Sequence, residues 1–172
     1  AVTVAHGLSA APELILSKNR DDPDGWLVYH ASRGASAYLY LNTTGVGETS
    51  VSYPWNGTAP TSSVFSTNSA GSISSEAYIS YCFHSVEGYS KVGSYTGNGA
   101  ANGSFVYTGF RPAWVMIKKS SGAGTSWYLL DNKRDIDNVV ENRLIAEGAN
   151  DEGVGSDKVD FLSNGFKLRA NQ

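Results

Sequence analysis

Short apolar runs, some of them alternating with polar residues, recur along the chain and predict β-strands. Ala37–Leu41 alternates as a half-buried strand should. Turn residues separate these runs at intervals of roughly ten residues, which is typical of sandwiches and jelly rolls. The other predicted strands are Val2–Ala5, Glu13–Asn19, Trp26–His30, Val64–Ser66, Ala77–His84, Val92–Tyr95, Phe105–Tyr107, Ala113–Lys119, Trp127–Asp131, Asp160–Leu162 and Gly165–Leu168.

One segment, Asp137–Glu147, has a pattern that a helix could use. Its apolar residues form only a poor stripe on a helical projection, so at most one short helix is predicted. The fold class predicted from the whole pattern is an all-β, antiparallel β-sandwich of the lectin-like jelly-roll type.

The order of these elements repeats along the chain, which is the strongest sign of its organisation. Each copy has a Gly-apolar pair, a proline, an apolar strand followed by lysine, and a strand led by tryptophan. In the first copy these are Gly7-Leu8, Pro12, Lys18 and Trp26, and in the second they are Gly109-Phe110, Pro112, Lys118 and Trp127. Weaker matches pair Asn42–Gly45 with Ala146–Gly148, and Val64–Ser66 with Asp160–Leu162.

The repeat predicts three regions: residues 1–93 as a first sandwich repeat, 94–104 as a Gly/Asn/Ser-rich linker or turn, and 105–172 as a second, incomplete repeat. The first copy closes with Ala77–His84, whereas the second reaches Gln172 before an equivalent strand. We therefore expect this last strand to be missing or to come from another chain. Because the chain opens on Ala1 rather than Met, we also expect it to be processed or to be a piece of something longer.

Charge and composition exclude several classes of partner. Charged residues are only 17% of the chain and the net charge is −3, without the basic stripe of a nucleic-acid binder. No apolar run approaches the roughly 20 residues that span a bilayer, and no Lys/Arg-faced helix suits a membrane surface. The single cysteine, Cys82, lies in an apolar strand and is interpreted as a small buried hydrophobic residue. We expect neither nucleic acid nor membrane as a partner.

Several segments together give the chain a likeness to a known family. They are Leu14–Arg20 with Trp26–His30, Thr58–Phe65, Ala77–Phe83, Glu87–Gly99, Thr108–Lys118 and Phe161–Leu168. The chain resembles a concanavalin-like, lectin-type repeat of structural proteins of marine tailed bacteriophages, including cyanophages. The resemblance covers nearly the whole chain, but its motifs build the fold rather than carry chemistry.

What the resemblance implies is a component on the surface of a virion: a tail-fibre or adhesin segment, or a decoration of the capsid. The implied partners are other virion proteins, further copies of the chain, and host surface glycans. Members of the family usually continue with another strand beyond the point that matches Gln172.

The acidic turn around Asp21, Asp22 and Asp24 is a candidate Ca²⁺ site, because Ca²⁺ prefers several carboxylate oxygens. The spacing does not fit an EF-hand loop, and the alternative is a solvated turn in which Asp-Pro and Asp-Gly set the backbone geometry. No other cofactor is expected. The three histidines lack the spacing of a zinc site.

Catalysis is not expected. Glycoside hydrolysis needs two carboxylates facing each other across a cleft, and no strand carries alternating acids. Asp135, Asp137 and Glu141 have the wrong spacing, and no nucleophile elbow or phosphate loop is present. A polysaccharide-degrading enzyme remains as the weaker alternative.

The remaining chemistry is of the binding type, in the loop Ser52–Gly57. Tyr53, Trp55 and Asn56 place aromatic and amide groups together, as sugar-binding loops do, and no counterpart is visible in the second copy. The alternative is a loop anchor that packs onto the sandwich. Trp26 and Trp127, at matching positions of the two copies, are interpreted as core residues. The resemblance thus implies a structural virion module, and the Trp55 loop leaves a dedicated carbohydrate-binding receptor module as the alternative.

Overall fold

The structure is a computed structural model that describes residues 2–68 and 76–169, without the side chains of 155–157. The described residues form antiparallel sheets, and the only helical element among them is a 3-10 turn at Ala31–Arg33. The predicted all-β class is confirmed, and the arrangement of sheets is consistent with a β-sandwich. The chain divides into two compact units: unit 1 is Ala1–Ser85 with Ser120–Thr125, and unit 2 is Val86–Lys119 with Ser126–Gln172.

Unit 1 contains two sheets. Strands β1 (Val2–Ala5) and β6 (Val64–Thr67) pair as an antiparallel ribbon. The second sheet has five strands in the order β5-β4-β3-β2-β7. Its strands are β2 (Leu14–Asn19), β3 (Leu27–His30), β4 (Ala37–Tyr40), β5 (Glu48–Thr49) and β7 (Tyr78–Phe83).

The core of unit 1 follows from the period of two along its strands. In β2, alternate residues Ile15, Ser17 and Asn19 are buried, because successive side chains point to opposite faces of a sheet. On this inner face Ile15 packs in a cluster of buried residues rich in aromatic rings. The others in the cluster are Leu27, Tyr29, Ala35, Tyr38, Trp55 and Phe65.

Unit 2 has one sheet of six strands in the order β8-β13-β12-β11-β10-β9. Its strands are β8 (Phe105–Tyr107), β9 (Trp114–Ile117), β10 (Tyr128–Asp131), β11 (Val140–Ile145), β12 (Gly153–Leu162) and β13 (Gly165–Leu168). A two-residue turn, Ser163-Asn164, joins β12 to β13. The core of this unit is aliphatic with two phenylalanines: Val115, Ile117, Leu130, Val140, Val159, Phe161, Phe166 and Leu168.

Strand pairing shows the same hairpin in both units. Leu14 to Ser17 of β2 lie opposite His30 to Leu27 of β3, and Trp114 to Ile117 of β9 lie opposite Asp131 to Tyr128 of β10. The flanking hydrogen bonds also match. The Leu41 N–H donates to Trp26 O at 2.9 Å, as the Ala146 N–H donates to Trp127 O at 3.2 Å.

The same comparison extends to a further pair of strands and corrects one match made from the sequence. Phe65 of β6 lies opposite Val4 of β1, and Phe166 of β13 lies opposite Val106 of β8. The counterpart of Val64–Thr67 is therefore Gly165–Leu168 and not Asp160–Leu162. Sequence matching missed this because the segment between β4 and β6 differs in length from the segment between β11 and β13.

Two segments differ from the expectation. In Asp137–Glu147, where at most one short helix was predicted, the chain forms no helix: Val140–Ile145 is strand β11, which pairs with β10 and β12 as the counterpart of β4. Val92–Tyr95, expected to be a strand, has no regular secondary structure. The first segment of unit 1 ends at Ser85, and the linker expected at 94–104 stays a prediction.

Candidate functional site

A pocket of about 390 Å³ lies in unit 1 between the β1–β6 ribbon and the β2–β7 side of the five-stranded sheet. Residues of both sheets and of the loop before β6 contribute to its wall. These residues are Val4, Ala5, His6, Ser17, Leu27, Pro54, Trp55, Phe65, Thr67, Tyr78, Ser80 and Cys82.

The register of β2 and β7 explains why polar groups enter this pocket. Ser17 lies directly opposite Ser80, and their hydroxyl oxygens are 2.9 Å apart in a hydrogen bond. On β7, Tyr78, Ser80 and Cys82 are half-buried on this face. The intervening residues of β7 point to the opposite face and are exposed. The face of β7 that carries Tyr78, Ser80 and Cys82 therefore lines the pocket.

Trp55 forms the apolar part of the wall. Only 3% of this residue is exposed, and its ring packs edge-on against Tyr29 at 5.8 Å and Phe65 at 6.5 Å between ring centroids. Its Nε1 is buried and has no hydrogen-bond acceptor among the described residues. Buried donors nearly always have a partner, so this indole N–H is an uncommon feature in a pocket wall.

None of the lining residues is Asp, Glu, Lys or Arg. Burial raises the pKa of the Cys82 thiol, and burial together with the nearby carboxylates of Glu76 and Asp24 raises the pKa of Tyr78. Both groups therefore stay protonated at pH 7.

His6 lines the pocket with both of its ring nitrogens in hydrogen bonds. Its Nδ1 accepts a hydrogen bond from the Leu8 N–H at 3.1 Å, and its Nε2 lies 3.1 Å from Thr61 O. Both ring nitrogens are thus occupied by backbone groups of unit 1, and the proton on Nε2 is donated to a carbonyl. This arrangement positions the ring and the start of the loop after β1.

The structure brings only one of the three predicted contact residues to the pocket. Trp55 lines it from a buried position. Tyr53 instead packs edge-on against Tyr38, with 5.3 Å between ring centroids. Asn56 has a positive φ of 53° at a turn in which the Thr58 N–H donates to Trp55 O at 3.1 Å.

The loop of Trp55 does have a counterpart in the second copy, which corrects the expectation from the sequence. The Asn68 N–H donates to Pro54 O at 2.8 Å, as the Arg169 N–H donates to Lys158 O at 2.8 Å. Trp55 therefore occupies the position that Val159 takes in unit 2. Both residues are buried, with Val159 in the core of its own unit.

The carboxylates of the predicted acidic turn accept hydrogen bonds from a backbone N–H and from a side-chain amide. The Asp21 carboxylate accepts the Ala77 N–H at 2.6 Å. The amide nitrogen of buried Asn19 donates to Asp24 at 3.0 Å and to Glu76 at 2.9 Å. The backbone N–H of Asp22 donates a hydrogen bond to Asn19 Oδ1 at 3.3 Å. In the part of the chain that the structure describes, no three His, Cys, Asp or Glu side chains are placed to hold a metal ion.

Sequence reasoning missed the polar side of the pocket, above all Ser17 and Ser80. A signal was present: each serine stands at an inward position of its strand, in line with the apolar residue Ile15 on β2 and with Cys82 on β7. Only the pairing of β2 with β7 shows that the two serines meet.

These features define an all-β protein of antiparallel sheets, consistent with a β-sandwich, with an uncharged pocket in one unit. The chain belongs to the family described as Domain of unknown function (DUF7483), whose model matches residues 1–172. No curated protein and no solved structure matches the chain. Within residues 2–68 and 76–169, no helix is long and apolar enough to cross a bilayer.

Proposed function

We propose that this chain is a non-enzymatic structural module of a virus particle, and that it holds a neutral glycan in the pocket of unit 1. We propose further that the module contacts other virion proteins and further copies of the chain. The observation that carries the glycan part is the wall of the pocket, which combines an aromatic surface with hydroxyl groups and carries no charged side chain.

The chemistry of the wall suits a sugar ring. The C–H face of a pyranose packs against aromatic surface, here that of half-buried Tyr78, beside the edges of buried Trp55 and Phe65. The hydroxyls of Ser17, Ser80 and Thr67 can donate and accept hydrogen bonds with sugar hydroxyls. An anionic sugar would find no Arg or Lys in the wall to compensate its charge, so a neutral glycan is favoured over an acidic one.

A binding role is favoured over catalysis at this pocket. Glycoside hydrolysis needs two carboxylates flanking the scissile bond, and the lining residues include none. Nucleophilic catalysis by Cys82 would need a thiolate, whereas burial raises the pKa of this thiol.

The virion part of the proposal is supported by the resemblance of the sequence to tailed-phage structural repeats. It is tested by mass spectrometry of purified particles from the virus that encodes the chain. We expect peptides of this chain in a stoichiometric amount, and their absence from the particles would refute the assignment.

The glycan part is tested by saturation-transfer NMR with a panel of neutral mono- and disaccharides and of uronic and sialic acids. We expect a signal from at least one neutral sugar and none from the acids. Ser80→Phe places a ring in the pocket, so it should reduce affinity for the sugar at least tenfold, a change of about 1.4 kcal/mol.

Ile79→Phe is the matched control, because it adds a ring to the neighbouring residue on the opposite, exposed face of β7. This variant should bind the sugar as the wild type does. Binding that survives Ser80→Phe, or the lack of binding to every neutral sugar, would contradict the glycan proposal.

A further inference from the structure

Strand β9 ends the sheet of unit 2, while its counterpart in unit 1 has neighbours on both sides. In unit 1, β2 pairs with β3 on one edge and with β7 on the other. The β2–β7 pairing is long: six residues, Leu14 to Asn19, lie opposite Phe83 to Tyr78. In unit 2, β9 pairs with β10, and no other strand of the described chain pairs with its outer edge.

The outward groups of β9 are those that β2 uses to bind β7. The Asn132 N–H donates to Ala113 O at 3.0 Å, so the alternation of an antiparallel ladder turns Val115 and Ile117 toward β10. The backbone N–H and C=O of Trp114 and Met116 then point outward. In unit 1 the Arg20 N–H donates to Ala77 O at 2.8 Å, which turns Leu14 and Leu16, the counterparts of Trp114 and Met116, toward β7.

Within Trp114–Ile117 the edge of β9 carries no charge, proline or bulge, and Pro112 and Lys118 lie just outside the strand. Edge strands are commonly blunted by a charge, a proline or a bulge, whereas β9 reads Trp-Val-Met-Ile. Trp114 is 51% exposed on the outer face. An uncharged, apolar strand with free edge groups is a template for a further strand.

The other end of this sheet does not carry the same inference. Strand β8 is its counterpart to β1, and β1 pairs only with β6 among the described strands. The repeat therefore predicts a further neighbour for β9 and none for β8.

We propose that the outer edge of β9 binds an extended strand, antiparallel to β9, with the side-chain pattern of β7. The polypeptide that supplies it lies outside Ala1–Gln172. The β7 strand of a second copy does not fit this role, because it is already paired with its own β2 over six residues. The proposal concerns unit 2 and stands independently of the glycan pocket in unit 1.

The side-chain pattern of β7 indicates which residues the strand bound by β9 carries. Beside the inward residues Ile15 and Ser17, β7 places Cys82 and Ser80, which are small. The strand bound by β9 therefore carries small or apolar residues opposite Val115 and Ile117. Trp114 and Met116 have their side chains on the outer face of the sheet, and opposite them the bound strand carries bulky apolar residues. In the same way β7 places Phe83 and Tyr81 opposite Leu14 and Leu16.

The probe for this site is a synthetic peptide with the sequence of residues 76–85, carrying Cys82→Ser to avoid oxidation. It is added to the ¹⁵N-labelled 172-residue protein, and hydrogen exchange of individual amides is followed by NMR. Because their N–H groups would gain a partner, we expect exchange of the Trp114 and Met116 amides to slow by roughly tenfold or more.

Two N-methylated peptides separate strand pairing from other contacts. Methyl groups on the nitrogens of Ile79, Tyr81 and Phe83 block the edge that β7 turns toward β2, so this peptide should lose binding. Methyl groups on Tyr78, Ser80 and the residue at position 82 lie on the opposite edge of the peptide, so this control should still bind.

A protein variant provides a second, independent test. Met116→Pro removes an outward N–H and no bond to β10, which edge strands tolerate, and it should abolish the protection. Met116→Ala shortens the same side chain but keeps the amide, and it should retain the protection. Circular dichroism and the dispersion of the ¹⁵N-correlated spectrum show whether each variant is folded.

Three results would overturn the proposal. One is the lack of protection at β9, and another is equal binding of the two N-methylated peptides. The third is concentration-dependent dimerisation of the wild type that Met116→Pro abolishes, which would make a second copy the occupant. Loss of peptide binding by Met116→Pro with sugar binding intact would leave the glycan proposal untouched.

Discussion

Trp55 and Val159 show how one position of the repeat takes different side chains in the two units. In unit 2 an aliphatic residue fills this position, whereas in unit 1 an indole packs on Tyr29 and Phe65 and forms a wall of the pocket. Trp55→Ala is therefore a poor test of ligand binding. Truncation of a buried tryptophan costs about 3–5 kcal/mol and would disturb the core itself, so Ser80 is the better position.

Tyr38 carries the pH-dependent prediction at the residue scale. Its hydroxyl donates to Glu48 Oε2 at 2.6 Å, and burial followed by this hydrogen bond raises the pKa of Tyr38 above its ordinary value. A pKa that is higher in the folded than in the unfolded state stabilises the fold fully below pH 10 and loses this effect as the pH rises further.

We expect Tyr38→Phe to lower the free energy of unfolding by about 1 kcal/mol at pH 7, the net value of a typical hydrogen bond. Above pH 10 the variant should lose stability less steeply than the wild type. Urea unfolding between pH 7 and pH 11 measures both. The control is Tyr89→Phe, at a residue that is 81% exposed. Parallel curves for wild type and Tyr38→Phe across this range would contradict the prediction.

At the scale of elements, β11 shows why a local pattern can mislead. Val140–Ile145 is largely half-buried, so its residues are mixed in polarity and resemble a helix as much as a strand. The tertiary structure decides for a strand, because β10 and β12 provide partners on both edges. Asp135 stabilises the turn before β11, because its carboxylate accepts hydrogen bonds from the backbone N–H groups of Glu141 and Asn142 at 2.8 and 2.7 Å.

Strand β13 carries a prediction that follows from close backbone contact. A Cβ atom at Gly165 would lie 2.1 Å from the carbonyl oxygen of Val106 on the neighbouring β8. Gly165→Ala should therefore force β8 and β13 apart and cost about 1–3 kcal/mol. Thermal unfolding checks this. Gly153→Ala is the matched control in the same sheet, since a Cβ there meets nothing within 4 Å, and a stability loss equal in both variants would refute the explanation.

At the scale of the whole molecule, each unit has its own core, one rich in aromatic rings and one aliphatic. Leu130 is fully buried in the core of unit 2. Leu130→Ala should lower the free energy of unfolding by about 2–5 kcal/mol. Hydrogen exchange should accelerate more in β10 to β13 than in β2 and β3.

The control for this experiment is Leu129→Ala, since Leu129 is half-buried on the opposite face of β10 and should cost less. Equal acceleration of exchange in both units by Leu130→Ala would show that the two cores unfold as one cooperative block.

The sequence by itself determined most of the strands and the tryptophan-led hairpins that recur in the two units, but not β5 or β11. The period of two and the turn residues are local features, so Phe105–Tyr107 and Gly165–Leu168 could be predicted to the residue. The matching tryptophan-led strands could be recognised for the same reason. Part of the site was also predictable, since Trp55 was singled out, although as a loop contact.

Only the tertiary structure decided the features that depend on residues far apart in the chain. The meeting of Ser17 with Ser80, the burial of Trp55 and the matching of β6 with β13 all arise from long-range pairing. The sequence ends its second repeat without a counterpart of β7, but the consequence is visible only in the sheet order. Among the described strands β9 pairs with β10 alone, so the backbone N–H and C=O groups on its other edge have no ladder partner.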